Sequence, residues 1–303
     1  PMDCRDGVCG TCKCFAEKGT YELEFYMDES MSDEEAEAGY VLTCQMIPES
    51  DCVLRVPTSS AACKTAPEAI EGEVLAVETL SETSFSLKLK LAKPMGFLPG
   101  QYVNVTVPGT GQHRSYSFSS AQGGDEATFL IRNLPGGVMS SYLSERAKPG
   151  DQVTLTGPMG AFYLRPIERN QLWLAGGTGL APFLSMLEQL AEQGTDQPIK
   201  LFYAVTRAAD LVELDRVNAL AEKIGNVTVV TVLAAEDEAH DRKGFVTDHL
   251  SAEDLCGGDC DVYLCGPPPM VDAVRSHFDT LGVAPVSFHY EKFNPTETSA
   301  EAA

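Results

Sequence analysis

Three cysteines near the start of the chain constrain most strongly what it can fold into. Their spacing is Cys4-x4-Cys9-x2-Cys12, and a fourth candidate, Cys44, follows after a longer loop. Four thiolates at this spacing are the ligand set of a plant-type 2Fe-2S cluster, which carries one electron at a time. Glycines within the loop let main-chain amides approach the sulfides. The spacing therefore predicts a one-electron iron-sulfur centre.

Zinc is the alternative metal for these thiolates. Structural zinc sites usually combine two Cys-x2-Cys pairs, and the chain contains only the pair Cys9-x2-Cys12. A disulfide framework is typical of small secreted domains, whereas this chain has 303 residues. We expect the other cysteines to be reduced and mostly buried, as in a cytoplasmic protein. They are Cys14, Cys52, Cys63, Cys256, Cys260 and Cys265.

The charge of the chain limits its partners. The formal net charge is −22, which argues against nucleic acid because phosphate binding needs clustered Lys and Arg. An acidic electron carrier suits a basic docking face on a protein partner, although solubility explains the charge equally well. No membrane span is expected, since the longest apolar stretch, 172–187, is short and interrupted by glycines and Pro182.

The first predicted domain covers residues 1–64 and contains the cluster cysteines. Ser32 and Glu35 form a capping-box pattern that predicts the start of a short acidic helix. The sequence opens almost directly on the cluster loop, so we expect the start of a ferredoxin domain to be missing. A linker is predicted around residues 63–71.

Two different periodicities follow. Apolar and polar residues alternate over 85–91 and 103–107, and Pro-Gly turns recur, which predicts an antiparallel barrel over residues 68–167. Residues 168–293 instead show buried strands separated by segments of helical length, the pattern of a parallel nucleotide-binding sheet. The predicted strands are 172–175, 201–205, 227–233 and 262–264, and residues 294–303 form a polar tail.

Two short segments of the predicted barrel have flavin-binding chemistry. Arg114, Tyr116 and Ser117 offer a cation for a phosphate, an aromatic ring and a hydroxyl, although the same residues also fit an ordinary strand. A second segment presents amides and hydroxyls at the start of a helix, where a pyrophosphate can bind. Its residues are Gly137, Val138, Met139 and Ser140.

Two turns of the last domain are candidates for nucleotide binding. The first departs from the Rossmann fingerprint because Pro182 occupies the place of the third glycine, yet it still joins a strand to a helix N-terminus. The second follows a later strand and reads either as a sheet-edge ligand site or as a rigid proline turn. They comprise Gly176, Gly177, Thr178 and Gly179, and Cys265, Gly266 and Pro267.

The order of these motifs resembles, over the whole chain, the reductase components of aromatic-ring-hydroxylating dioxygenases, particularly the benzoate and toluate 1,2-dioxygenase type. The resemblance implies a multidomain α+β and α/β fold: an N-terminally truncated β-grasp ferredoxin, an antiparallel flavin-binding β-barrel and a parallel α/β nucleotide-binding domain. It also implies three cofactors, namely a 2Fe-2S cluster, FAD and NADH, and a terminal oxygenase component as the protein partner.

The resemblance assigns roles to individual residues. Cys4, Cys9, Cys12 and Cys44 match the cluster ligands. Arg114 matches a pyrophosphate contact, and residues 137–140 match the second phosphate segment. Residues 176–179 and 265–267 match the nicotinamide nucleotide site, and residues 291–293 match a C-terminal signature with an aromatic over the flavin. The residues implied at the reacting centre are Ser117, Cys265, Glu291 and Phe293.

The predicted activity is electron transfer from NADH through FAD and the cluster to the oxygenase. Arg207, just after the strand 201–205, would favour NADPH if it met a 2′-phosphate, but it fits a solvated surface arginine at least as well, and the resemblance favours NADH. FAD is preferred over FMN by resemblance alone. The alternatives are a reductase for a di-iron monooxygenase or another acceptor, and a ferredoxin-like module without turnover.

Overall fold

The structure is a computed structural model that describes residues 6–7, 10, 12–28, 30–56 and 67–293. The chain divides into two units, which are considered separately: Pro1–Pro67 with Gly157–Ala161, and Glu68–Thr156 with Phe162–Ala303. The predicted barrel and the predicted parallel sheet both lie in the second unit, so the boundary proposed between them at residues 167 and 168 stays a prediction.

The described part of the first unit consists of five short strands and one short helix. β1 pairs antiparallel with β3 and β5, and β2 pairs antiparallel with β4. The elements are β1 (Lys13–Lys18), β2 (Tyr21–Leu23), α1 (Asp33–Glu37), β3 (Tyr40–Leu42), β4 (Met46–Pro48) and β5 (Val53–Arg55).

Helix α1 begins where the capping-box pattern predicts. The Glu35 amide donates to Ser32 Oγ at 3.3 Å, and the Ser32 amide donates to Glu35 Oε2 at 3.0 Å. Lys13 Nζ, on β1, lies 2.8 Å from the same carboxylate oxygen. Two of the amides that a helix start leaves unpaired are thereby satisfied, and the helix is tied to the strand beside it.

The second unit begins with an antiparallel sheet in the strand order β10-β7-β6-β11-β8-β9. A bridge between Phe118, which follows β9, and Phe129 on β10 joins the two outer strands and closes the sheet into the predicted barrel. The elements are β6 (Glu68–Ser81), β7 (Ser84–Leu91), β8 (Tyr102–Thr106), β9 (His113–Ser117), β10 (Glu126–Arg132), α2 (Val138–Glu145) and β11 (Gln152–Met159).

The predicted linker at 63–71 is too long at its C-terminal end. β6 already begins at Glu68, and Ile70 is buried in the barrel core. Three charged residues in the first six of this strand mask its apolar alternation, because they lie on its exposed side. Packing of Ile70 and Val74 against the barrel core extends the strand past the point where the sequence pattern becomes clear.

The last part of the second unit is a five-stranded parallel sheet in the order β14-β13-β12-β15-β16. The predicted fold class, an antiparallel barrel followed by a parallel α/β domain, is confirmed. The elements are β12 (Asn170–Gly176), α3 (Ala181–Gln193), β13 (Ile199–Val205), α4 (Leu214–Ile224), β14 (Val227–Leu233), β15 (Cys260–Gly266), α5 (Pro268–Leu281) and β16 (Ser287–Lys292).

Helices cover both faces of this sheet. Trp173 on β12 packs with α3 and α4 in one core cluster, whereas Leu172 and Leu174 pack with α5 in another. Alternate residues of a strand point to opposite faces, so a strand buried on both sides is apolar throughout. Among the described residues, no helix is long and apolar enough to cross a membrane.

Arg216 on α4 connects the sheet domain to the barrel. Its Nη2 donates to the Ser119 carbonyl at 2.6 Å and contacts the Glu188 carboxylate of α3. Its Nη1 lies 3.4 Å from Glu213 Oε2. Ser119 is buried, so this guanidinium supplies a hydrogen bond that water does not readily replace.

Replacing Arg216 should therefore destabilise the second unit. We expect Arg216→Met to lower the free energy of unfolding by about 1–2 kcal/mol, because the Ser119 carbonyl and two carboxylates lose their donor. Urea unfolding of the intact protein measures the change. Arg132 is exposed, so Arg132→Met serves as the control, with an expected loss below about 0.5 kcal/mol. Equal losses in the two variants would contradict the stabilising contact of Arg216 between the sheet domain and the barrel.

Candidate active site

The nucleotide sheet has a crevice where its strand order reverses. The strands lie side by side in the order β14-β13-β12-β15-β16. Numbered 1 to 5 by their order along the chain, this arrangement is 3-2-1-4-5, so the first strand, β12, is the neighbour of the fourth, β15. Connections leave β12 and β15 toward opposite faces, which opens a crevice at their carboxyl ends, and doubly wound sheets bind ligands there. The predicted turns at 176–179 and 265–267 both lie at this point.

The two turns approach each other closely because glycine removes the side chains between them. A Cβ on Gly179 would lie 2.7 Å from the carbonyl carbon of Cys265. A Cβ on Gly176 would lie 3.0 Å from Pro267 Cδ. Gly177 has a positive φ of 56° and open space around it, so this turn exposes main chain toward the crevice. Such a cradle fits a diphosphate.

Cys265 lies behind the crevice and not on its surface. It is fully buried in the core cluster that contains Trp173 and Phe183. Burial, with a smaller effect of Glu291, raises the pKa of its thiol well above the usual range. The side chain therefore stays a neutral thiol and cannot act as a thiolate nucleophile.

A hydrogen bond joins the barrel to the nucleotide sheet beside this crevice. Ser117 Oγ, at the end of β9, donates to Glu291 Oε2 at 3.1 Å. Glu291 lies beside Cys265 in the parallel register of β15 and β16. Two residues later, the Phe293 amide donates to the Gly266 carbonyl at 2.9 Å. Ser117, Glu291 and Cys265 are thus linked by a hydrogen bond and by strand pairing, and Phe293 is held to Gly266, next to Cys265.

The other flavin candidates on β9 face away from Ser117. Arg114 and Tyr116 alternate with the serines, and Tyr116 packs partly against the barrel core. Arg114 donates to the His113 carbonyl at 2.7 Å and to Gln112 Oε1 at 2.9 Å. Arg114 is therefore held by neighbouring acceptors of the β8–β9 hairpin, and Tyr116 is held by the barrel core.

At the start of α2, main-chain amides are more available to a ligand than side chains are. Gly137 caps the helix without a side-chain hydrogen bond. Val138 and Met139 pack against the barrel core. Ser140 Oγ accepts from the Leu134 amide at 2.8 Å, so the hydroxyl already holds the preceding turn. The amides of this first turn are the groups that fit a pyrophosphate.

Two of the four predicted cluster ligands can be placed. Cys12 Sγ and Cys44 Sγ are 3.4 Å apart, and the Gln45 side-chain amide donates to Cys44 Sγ at 3.7 Å. Burial raises the pKa of Cys12 to about 11. Two converging thiols in such a site fit a metal, which replaces their protons on binding. Cys4 and Cys9 lie outside the described residues.

The remaining described cysteines behave in two ways. Cys14, Cys260 and Cys265 are buried, as expected, whereas Cys52 is half-buried and Cys256 is exposed. Cys256 is an exception to the expectation that most of these cysteines are buried, and it lies in a turn with a positive φ of 50° that continues into two glycines. Sequence alone does not show this turn, because the apolar strand begins only at Cys260.

Sequence reasoning selected Arg207 but missed its partners. Arg207 Nη1 lies 3.1 Å from Glu238 Oε1 and 3.6 Å from Asp237 Oδ2. The sequence does contain these partners, as a run of acidic residues shortly after the strand 227–233. Their pairing with Arg207 becomes evident only from the sheet order, which places the ends of β13 and β14 side by side.

Comparison with known proteins agrees with this architecture. Three family models match in order: a 2Fe-2S iron-sulfur cluster binding domain over residues 1–49, an oxidoreductase FAD-binding domain over 71–163 and an oxidoreductase NAD-binding domain over 173–276. The toluate 1,2-dioxygenase electron transfer component of Pseudomonas putida is 54% identical over 97% of this chain and 88% of that protein.

The chain belongs to the family of dioxygenase electron transfer components. The 2-halobenzoate 1,2-dioxygenase electron transfer component of Burkholderia cepacia is 45% identical over 98% of this chain and 88% of that protein. An Amycolatopsis cytochrome P450 reductase has a similar solved structure, with a TM-score of 0.77, 32% identity, and coverage of 97% of this chain and 90% of that one.

Membership of this family confirms the predicted cofactors and activity. The chain is an iron-sulfur flavoprotein oxidoreductase that transfers electrons from NADH through FAD to a 2Fe-2S cluster. The residue assignments stay predictions, since the comparisons do not test individual side chains.

The glycine contact gives a first test of the crevice. We expect Gly179→Ala to lower kcat/KM for NADH by about tenfold or more, because the added methyl pushes the turn away from the main chain of Cys265. Gly96→Ala, where a Cβ meets nothing within 4 Å, is the control and should leave kcat/KM unchanged. An active Gly179→Ala enzyme with ordinary KM would contradict the close approach.

The Ser117 contact gives a second test. We expect Ser117→Ala to slow flavin reduction by NADH about tenfold to a hundredfold, because Glu291 loses the hydrogen bond that holds it at the barrel. Ser115→Ala on the same strand removes a hydroxyl that donates to Asn104 Oδ1 within the barrel, and it should leave the rate near wild type. Stopped-flow absorbance measures both rates, and equal effects would refute a special role for Ser117.

Proposed function

We propose that the chain supplies electrons to the terminal oxygenase of a Rieske-type aromatic-ring-hydroxylating dioxygenase of the benzoate or toluate kind. The observation that carries the proposal is the 54% identity to a toluate 1,2-dioxygenase electron transfer component over nearly the whole chain. Relatives with 2-halobenzoate and anthranilate 1,2-dioxygenase names support the same class of acceptor.

We assign the cofactor sites from the geometry of the second unit and the cysteines of the first. FAD is held by Arg114, Tyr116 and Ser117 on β9 and by the amides of residues 137–140. NADH is held at the crevice formed by residues 176–179 and 265–267. The cluster is held by Cys4, Cys9, Cys12 and Cys44.

Flavin is needed because NADH gives up two electrons as a hydride, whereas the cluster accepts one at a time. The protein side chains orient the reactants and do not carry protons in this transfer. Ser117 and Glu291 fix the barrel against the sheet at the crevice, with the Glu291 carboxylate 3.1 Å from the hydroxyl. Cys265 is buried beneath the crevice as a neutral thiol, which keeps that side of the crevice apolar.

Phe293 is the residue that we propose covers the flavin before the nicotinamide arrives. Its amide is fixed to the Gly266 carbonyl, so its main chain is anchored at the crevice. Its side chain is only partly buried against the core, which leaves the ring at the edge of the site.

A second acceptor class has its own support. A propane 2-monooxygenase reductase component of Mycolicibacterium goodii is 34% identical over 96% of this chain. A reductase of the same fold can therefore serve a different oxygenase. The aromatic substrate itself is selected by the oxygenase partner, and we place the pair in the reducing cytoplasm, where free thiols such as those of Cys52 and Cys256 persist.

Cofactor analysis and an acceptor assay test the proposal together. We expect about one FAD, two iron and two sulfide per chain in the intact holoprotein. With NADH, the protein should support product formation by a purified benzoate- or toluate-type oxygenase. Zinc without flavin would refute the cofactor assignment, and activity only with a di-iron monooxygenase would refute the acceptor.

Removing one cluster ligand should separate the two halves of the electron path. We expect Cys44→Ser to reduce cytochrome c reduction about a hundredfold or more while sparing ferricyanide reduction, which flavin performs directly. Cys52→Ser is the matched control, since Cys52 Sγ bonds the carbonyls of Thr20 and Ser50 and is not a predicted ligand. Equal loss of both activities in a folded, flavin-loaded Cys44→Ser protein would contradict the order of carriers.

A further inference from the structure

The turns after β13 and β14 bring one cation and two carboxylates together at the carboxyl edge of the nucleotide sheet. Arg207 follows β13, and Asp237 and Glu238 follow β14. Glu238 uses both oxygens: Oε1 accepts from Arg207 Nη1 at 3.1 Å, and Oε2 accepts from the Ala208 amide at 2.6 Å. The carboxylate therefore holds the side chain and the main chain of the same turn.

A third carboxylate completes the cluster. Asp210 Oδ2 accepts from the Arg207 amide at 3.2 Å, and its other oxygen accepts from the Thr83 hydroxyl. One guanidinium among three carboxylates leaves the turn net negative. The pKa of Arg207 is raised, mainly by its hydrogen bond to Glu238 and then by Asp237, in agreement with the distances of these ion pairs.

The position of this cluster matters because of the strand order. β13 pairs with β12, whose turn at 176–179 forms the diphosphate cradle, and β14 pairs with β13. In doubly wound sheets the ribose of a nicotinamide nucleotide lies near the end of the second strand. There an arginine accommodates a 2′-phosphate, and a carboxylate accepts a hydrogen bond from a free 2′-hydroxyl.

We propose that Glu238 determines the selectivity of this reductase for NADH over NADPH, by capturing Arg207 and presenting a carboxylate to the adenosine ribose. The inference rests on the proposed nucleotide site at the crevice and adds the residue that discriminates between the two dinucleotides. A 2′-phosphate carries about −1.5 to −2 charges at neutral pH and is repelled by this cluster. A ribose hydroxyl can instead donate to it.

The test compares kcat/KM for NADPH and for NADH in the intact holoprotein, with ferricyanide as acceptor. Glu238→Gln keeps the size of the side chain and an oxygen for the Ala208 amide, but it removes the charge that holds Arg207. We expect the NADPH to NADH ratio to rise about tenfold or more. The double variant Arg207→Ala/Glu238→Gln should lose most of this gain, because the released arginine is the group that binds the phosphate.

Glu236→Gln is the matched control. It removes one carboxylate from the same turn, where the contact of Glu236 is made by its main-chain carbonyl with Lys243 Nζ at 2.8 Å. We expect its ratio to stay within about twofold of wild type. A Glu238→Gln ratio equal to that of Glu236→Gln, or a gain that survives fully in the double variant, would overturn the inference.

Failure of this inference is distinguishable from failure of the proposed function. A wild-type protein that oxidises NADH, with an unchanged ratio in Glu238→Gln, contradicts only the role of Glu238. A flavin-loaded wild-type protein that oxidises neither dinucleotide contradicts the nucleotide site itself.

Discussion

The contact between the turns after β12 and β15 is the constraint on which the nucleotide-binding half depends. Gly179 lies directly against the main chain of Cys265, and Gly176 lies against Pro267 and Met270. Any side chain at Gly179 would separate the two strand ends and widen the crevice. The absence of side chains thus lets a parallel sheet present bare main chain to a diphosphate at the point where its strand order reverses.

This contact also explains why Pro182 is tolerated where the dinucleotide fingerprint has its third glycine. A short 3-10 turn, Gly177–Leu180, separates β12 from α3, and Pro182 occupies the first turn of that helix, where proline is accepted. The close approach between the start of the helix and a neighbouring strand is made by Gly179, three residues before the position of the third glycine. The departure from the fingerprint is therefore a different entry into the helix, with the same exposed amides.

The sequence allowed several parts of this architecture to be predicted because the information is local. The capping box at Ser32 and Glu35, the strand Val227–Leu233 and the glycine turn after β12 each depend on a few neighbouring residues. By contrast, the hydrogen bond from Ser117 to Glu291 joins residues on different sheets, and only the folded chain brings them together. The family resemblance pointed to both residues but not to their contact.

The same reason explains the other differences. The sequence left Arg207 open between a 2′-phosphate ligand and a solvated surface arginine, because its carboxylate partners come from the turn of another strand. The predicted linker overlapped the start of β6 because charged residues on the exposed side hide the buried Ile70. Most of the non-ligand cysteines were expected to be buried, yet a tight turn just before β15 exposes Cys256. In each case the deciding neighbour lies outside the local pattern.

The central claim is that electrons enter at the crevice of the parallel sheet and leave through the iron-sulfur centre. Anaerobic stopped-flow mixing of the holoprotein with NADH, followed by absorbance and by freeze-quench paramagnetic resonance, tests this order most directly. The account predicts that flavin absorbance falls first and that the signal of the reduced cluster grows afterwards at the same or a slower rate. A cluster signal that precedes any change in flavin absorbance would contradict it.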